Sequence, residues 1–337
     1  MRRRKRLTMK TKHILFCGIC AAMLAVAFAA CENPSGGGGG GGGGEQPDPA
    51  HTHNWGAWAA TDIAGTKERV CKSNSSHIEH RLTGTGRFTF ELISGAAAYR
   101  VSQGTAIAGT VRIPAYYRPS AENEYQPVTA IRDDSSIYNG AFHNCTSLIN
   151  IIIPESVTSI GRYAFSYCTS LTSIAIPAGV MSIGNDAFTN CGGLTSITVA
   201  ASNPNYTGDG GILYNKAKTL LIKAPPAGIN GTVTIPAGVT EIGTYAFSGC
   251  SNLASINIPA SVTFIDRHAF SYCHSLTSIT IPASVATIGY STFYGWTNTQ
   301  TINVPFANAD AKPAGWATNW NGNCNATIKY WNGSAWV

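Results

Sequence analysis

Five residues near the start of the chain, His51, His53, Cys71, His77 and His80, are of types that hold metals. Imidazole and thiolate together ligate zinc, and a segment of about 30 residues rarely folds without a metal or a disulfide. Their spacing follows no strong zinc pattern, and Asn74 stands where a C-x-x-C pair from Cys71 would need its second thiol. The favoured reading of residues 51–82 is therefore a metal-free two-strand ribbon closed by Trp55 and Trp58.

Nucleophilic catalysis needs a hydroxyl or thiol beside a base, with the base oriented by a third group. His143, His268 and His274 occur at offsets where other segments carry Ser, Thr, Asn or Tyr, with no regularly spaced acid or nucleophile. The nine glycines Gly36 to Gly44 precede no Lys-Ser/Thr and no helix, so they do not form a phosphate-binding loop. No catalytic residue and no cofactor is expected. The thiols are informative for another reason: Cys145, Cys168, Cys191, Cys250 and Cys273 recur at one position of a repeat. Equivalent side chains of stacked coils point in parallel, a poor geometry for bridging, so these are expected to be buried free thiols.

The elements that carry these residues follow a 23-residue period, clearest at Ile258 to Thr280. The phrase returns from Ile153, Ile176, Ile235 and Ile281. Phe recurs at 142, 165, 188, 247, 270 and 293, and Pro at 154, 177, 236, 259, 282 and 305. A fixed period of this kind means one supersecondary unit stacked on copies of itself. In Leu171 to Pro177, Ile174 and Ile176 alternate with polar or small residues, which predicts a short strand ended by Pro177. Val180 and Ile183 begin a second inward edge, Gly184 allows the corner, and Phe188 fills the core. The single wider interval holds an insert, about 200–231. In the last unit Trp296 replaces Cys, and the aromatic stretch 305–337 is expected to cap the end.

The letters that repeat all have core or corner roles, so binding falls to those that vary. One candidate surface is the outward strand face: Thr172, Ser173, Thr195, Ser196, Ser255, Asn257, Thr277, Ser278 and Thr280. The other is the turn side, where Tyr163, Tyr167, Tyr245, Tyr272 and Tyr290 recur beside Arg162, Arg267 and His268; Tyr and Arg are favoured hot-spot residues.

The formal net charge of +6 is set by seven Lys and Arg in the first 30 positions; the remainder holds 16 basic residues against 17 acidic. That balance excludes a polybasic case for nucleic acid. The first 30 residues combine a basic start, an apolar run from Ile14 to Ala30 and small residues before Cys31. They resemble a bacterial lipoprotein signal, which implies that Cys31 carries a lipid and that residues 31–50 are a tether. Such a coil reaches roughly 25 Å.

The phrase I-P-x-x-V-T-x-I-G-x-x-A-F-x-x-C-x-x-L-x-x-I resembles the BspA-like, or treponemal-type, leucine-rich repeat of bacterial surface proteins. The resemblance covers roughly residues 88 to 305. It implies a mainly β, right-handed solenoid over 83–304 with one short parallel strand per coil and capped ends. It further implies an exported surface protein, anchored in the outer membrane or at the cell surface by lipid alone, that binds a protein ligand. In some members that ligand is a host matrix protein. A structural envelope spacer and a glycan-binding module remain as alternatives.

Overall fold

A computed structural model describes residues 88–103, 107–117, 126–133 and 140–337, together with the backbone of three strands at Ala59–Ala60, Thr66–Val70 and Ile78–Leu82. All of these fall in the unit Thr52–Val337. The signal segment, Cys31, the glycine tract, His51, His53, Cys71, His77 and the side chain of His80 lie outside the described residues. The ribbon expected at 51–82 has three strands rather than two. Thr66–Val70 pairs antiparallel with Ile78–Leu82, and Ala59–Ala60 adds to the free edge of Thr66–Val70.

From residue 88 the chain is a β-solenoid whose coils repeat at the 23-residue spacing. Each regular coil carries a second, shorter strand besides the one expected. Ser173–Ile176 pairs in parallel with Leu148–Ile152 below and Ser196–Val199 above. Ser159–Ile160 pairs likewise with Gln126–Ile131 and Ser182–Ile183. The extra strand exists because the V-T-x-I phrase buries Val and Ile against the core while its backbone groups still need partners, which the next coil supplies. Gly184 has its role for a different reason than turn flexibility: a Cβ there would lie 2.5 Å from the backbone nitrogen of Arg162 in the adjacent coil.

The core is a set of columns one repeat apart. Phe142, Phe165 and Phe188 stack with centroids 5.4 and 5.8 Å apart, and Phe247, Phe270 and Phe293 stack at 5.4 and 5.9 Å. The five repeat cysteines, Cys145, Cys168, Cys191, Cys250 and Cys273, form a second column, all free and buried. The thiols of Cys168, Cys191 and Cys273 each donate to the carbonyl of the Phe in the coil before, at 3.1 to 3.2 Å. Trp296 stands in that column, and its indole N–H reaches the Phe270 carbonyl at 2.8 Å. The substitution of Trp for Cys thus keeps the donor and changes only the volume.

The columns fall into two core clusters, one from Phe88 to Leu213 and one from Ile212 to Trp320. They meet at the insert. Tyr206–Asp209 and Ile212–Asn215 form an antiparallel hairpin, and the Gly211 carbonyl accepts from Ile197 N at the edge of Ser196–Val199. Leu220–Lys223 and Gly231–Thr234 then resume parallel pairing with Glu241–Ile242 and Leu253–Asn257. The second half of the insert is therefore itself a coil, hidden in the sequence because it lacks the repeat's Phe.

Beyond Val304 the chain makes one more partial coil. Thr327–Tyr330 pairs in parallel with Thr301–Val304, Trp316 bridges Ile288, and Trp316 and Trp320 are buried over Phe293 and Phe306.

Candidate functional site

The two candidate faces differ in how their polar groups are used. On the strand face Thr172, Thr195, Ser255, Asn257, Thr277, Ser278 and Thr280 are exposed, while Ser173 and Ser196 are half-buried. The hairpin of the insert divides this row, so it is not one continuous surface. Several of its groups bond to their own stack. Thr172 and Thr195 donate to the carbonyls of Ile149 and Thr172, the Ser255 hydroxyl pairs with Thr232 at 2.7 Å, and Thr280 accepts from Asn303.

The turn side is built on strained backbone. Two residues per coil adopt left-handed φ: the one before Ala-Phe (Tyr163, Asp186, Tyr245, His268) and the one two beyond Phe (Asn144, Tyr167, Asn190, Tyr272). Asn and Gly tolerate this region, whereas Tyr there costs about 1–3 kcal/mol. The five tyrosines grouped by sequence thus occupy three columns. Tyr163 and Tyr245 are half-buried at the first left-handed position. Tyr167 and Tyr272 are exposed at the second, at 38% and 43%. Tyr290 follows the corner glycine, 41% exposed, and accepts from Arg267 Nη1 at 3.0 Å. Arg162 lies over the Tyr163 ring, and Arg267 lies over Tyr245 and Tyr290.

The histidines belong to the same surface. His268 stacks on Tyr245 at 4.7 Å, and burial lowers its pKa. His274 packs against Tyr272. His143 does have a hydroxyl neighbour, contrary to the reading from spacing: its Nδ1 lies 2.7 Å from Ser166 Oγ. Ser166 is fully buried and also donates to the Tyr163 carbonyl, so its oxygen has no room to attack a substrate.

A cleft that sequence reasoning missed opens where the stack breaks. Ala224 N donates to the Ala246 carbonyl, as Phe247 N does to Ala269, so Ala224 occupies the Phe position. Between Leu221 and Ala224 only Ile222 and Lys223 remain of a corner that Gly161 to Ala164 fill between Ile160 and Phe165. The shortened corner leaves a cleft of about 500 Å³, whose walls include Ile183, Asp186, Thr189, Tyr206, Lys223, Glu241 and Asp266. Lys223, in the alanine position, is buried; its ammonium donates to the Tyr245 carbonyl at 2.8 Å, and desolvation lowers its pKa. Asp186 has a fully buried side chain and takes Arg267 Nη2 on Oδ2 at 2.6 Å, across 81 residues of sequence. Its Oδ1, and Thr189 Oγ1, are buried without a hydrogen-bond partner. Glu241 is raised by burial and then by the charge of Asp266, which Thr244 holds through its hydroxyl. The available signal was Ile222-Lys223-Ala224-Pro225 set beside Tyr245-Ala246-Phe247-Ser248, which shows a coil without its Phe and Ser.

Among the described residues no group of three or more His, Cys, Asp or Glu is placed to hold a metal, and no helix is long and apolar enough to cross a membrane.

A family model described as the BspA type leucine rich repeat region matches six copies, over residues 135–216 and 230–311. Among solved structures, a leucine-rich repeat protein from Eubacterium ventriosum is similar at 19% identity, with 80% of this chain and 83% of that one covered and a TM-score of 0.44. A leucine rich cell surface protein from Faecalibacterium prausnitzii shows 23% identity over 73% and 94%, TM-score 0.36. A T. pallidum leucine rich repeat protein shows 22% over 68% and 89%, TM-score 0.36. No curated protein matches in sequence. With its period, its Phe and Cys columns and six matched copies, the repeat region of this chain belongs to the BspA-type leucine-rich repeat family.

Proposed function

We propose that this chain is a cell-surface protein that binds a protein ligand, a host matrix protein among the fitting classes, through the turn side of its solenoid and without catalysis. The observation that carries the reading is the placement of Tyr167 and Tyr272. Both sit on left-handed backbone where sister coils use Asn144, Asn190, Gly249 and Gly295, and both expose their rings. Strain kept at an exposed aromatic, where a cheaper residue serves elsewhere, marks a position retained for contact. Cys31, lipidated after export, would anchor the chain and residues 32–50 would hold the solenoid off the membrane.

The test is a surface-binding screen of the chain against purified extracellular-matrix proteins, followed by Tyr167→Asn with Tyr272→Asn. Saturable binding should fall at least about tenfold, the effect of losing one hot spot, with no loss of stability, since Asn relieves the left-handed strain. Binding that survives both substitutions removes the turn side from the account. The self-bonded strand face favours a second reading, an envelope spacer without a specific ligand, and a screen with no saturable partner would select it. Detergent-phase partition of the full chain that persists in Cys31→Ser would refute the lipid anchor.

A further inference from the structure

The shortened corner deprives its neighbours of partners that a full corner supplies. Asp186 has no left-handed residue stacked on its far side, and beyond Thr189 the next coil offers Pro225, one residue past Ala224, whereas Ser248 accepts from Ser271 of the coil after it. The result is an acceptor and a hydroxyl, both buried and unpartnered, three residues apart on the wall of one cleft. Burying such groups costs free energy unless something bonds to them.

The wall also says what that something is. It carries the carboxylates of Asp186, Glu241 and Asp266 together with the ammonium of Lys223, so a ligand of either net charge meets a like charge inside. A hydroxyl meets neither difficulty, because it donates and accepts at once: it can donate to Asp186 Oδ1 and accept from Lys223 Nζ. Tyr206 adds ring surface beside these groups, and about 500 Å³ lies within the range of small-ligand sites. We propose that the cleft at the shortened coil binds a neutral polyhydroxylated ligand, a saccharide unit, between Asp186, Thr189 and Lys223. This site is separate from the exposed tyrosines of the turn side, and its failure would leave the protein-binding reading untouched.

The experiment is calorimetric titration of the full chain with glucose, galactose, mannose and N-acetylglucosamine and their disaccharides, with inorganic phosphate and cadaverine as charged comparators. At least one neutral saccharide should saturate below about 20 mM, while neither comparator does. Thr189→Val should then weaken that saccharide about fivefold or more and raise the melting temperature, since it removes a buried hydroxyl that nothing in the protein satisfies. Lys223→Met should weaken it likewise. Saturation by phosphate or cadaverine alone, no saturation by any saccharide, unchanged affinity in Thr189→Val, or a lowered melting temperature in that variant would each overturn the proposal.

Discussion

A regular coil and the shortened coil solve the same problem with different success. In the regular stack many buried polar groups find a partner one repeat away, Arg112 Nε and Arg162 Nε excepted: Cys168 reaches the Phe142 carbonyl, Ser271 reaches Ser248, and Trp296 takes over the thiol's role at the Phe270 carbonyl. At the shortened coil the period fails, and the repairs come from afar. Lys223 is buried under the Tyr245 carbonyl, and Arg267 crosses 81 residues to meet Asp186. Two atoms, Asp186 Oδ1 and Thr189 Oγ1, are left over. The repeat is thus a rule for satisfying a core as well as for filling it, and where it breaks, buried polarity collects.

The largest expected effect comes from the thiol column of the regular stack. Burial raises Cys145 to about 11 and Cys191 and Cys250 to about 12, and pushes Cys168 and Cys273 up as well. A raised folded pKa means that the native state keeps protons the unfolded chain releases above pH about 9, so the stabilisation is complete below that pH and lost as pH rises toward 11–12. The limiting slope is about 1.4 kcal/mol per pH unit for each thiol. Lys223, depressed by burial, acts in the opposite sense, one group against five. Urea unfolding at pH 8 and pH 10.5 should show a loss of several kcal/mol; equal midpoints would mean that the thiols are not buried as described.

Next in size is the repair at the shortened coil. Arg267→Met leaves the carboxylate of Asp186 buried without its cation and should cost about 3–5 kcal/mol in urea unfolding. Lys218→Met removes an ion pair of the same 2.6 Å length to Asp209, but on exposed side chains, and should cost at most about 1 kcal/mol. Similar costs for the two would show that the Asp186 pair is open to solvent.

Much of this was legible in the amino-acid sequence, for reasons that also mark where legibility stops. Ile174, Phe188 and Cys191 recur at fixed offsets because each coil buries the same face, so the period, the strand and the core letters could be read directly. The second strand of each coil was visible only as an apolar edge, since two residues carry too little alternation to define a strand. The reason for cysteine needed the structure, because the carbonyl it serves lies in the coil before. The tyrosines were found as a set, but their division into strained and unstrained columns depends on φ. Lys223 and Thr189 were illegible for the opposite reason: Ala224 and Pro225 stand one period before Phe247 and Ser248 but carry none of the repeat's letters, the insert sets them 36 residues after Phe188 and Thr189, and Asp186 meets Arg267 only through space.

The contrast between the two kinds of coil is tested most directly by one pair of urea unfolding measurements at equivalent positions, the residue after Phe. Ser166 donates to the Tyr163 carbonyl and meets His143 Nδ1, whereas Thr189 Oγ1 has no partner. Ser166→Ala should destabilise by about 1–2 kcal/mol and Thr189→Val should stabilise by up to about 1 kcal/mol. Opposite signs are the predicted result; loss of stability in both variants would contradict the claim that the repeat satisfies its core and that the shortened coil does not.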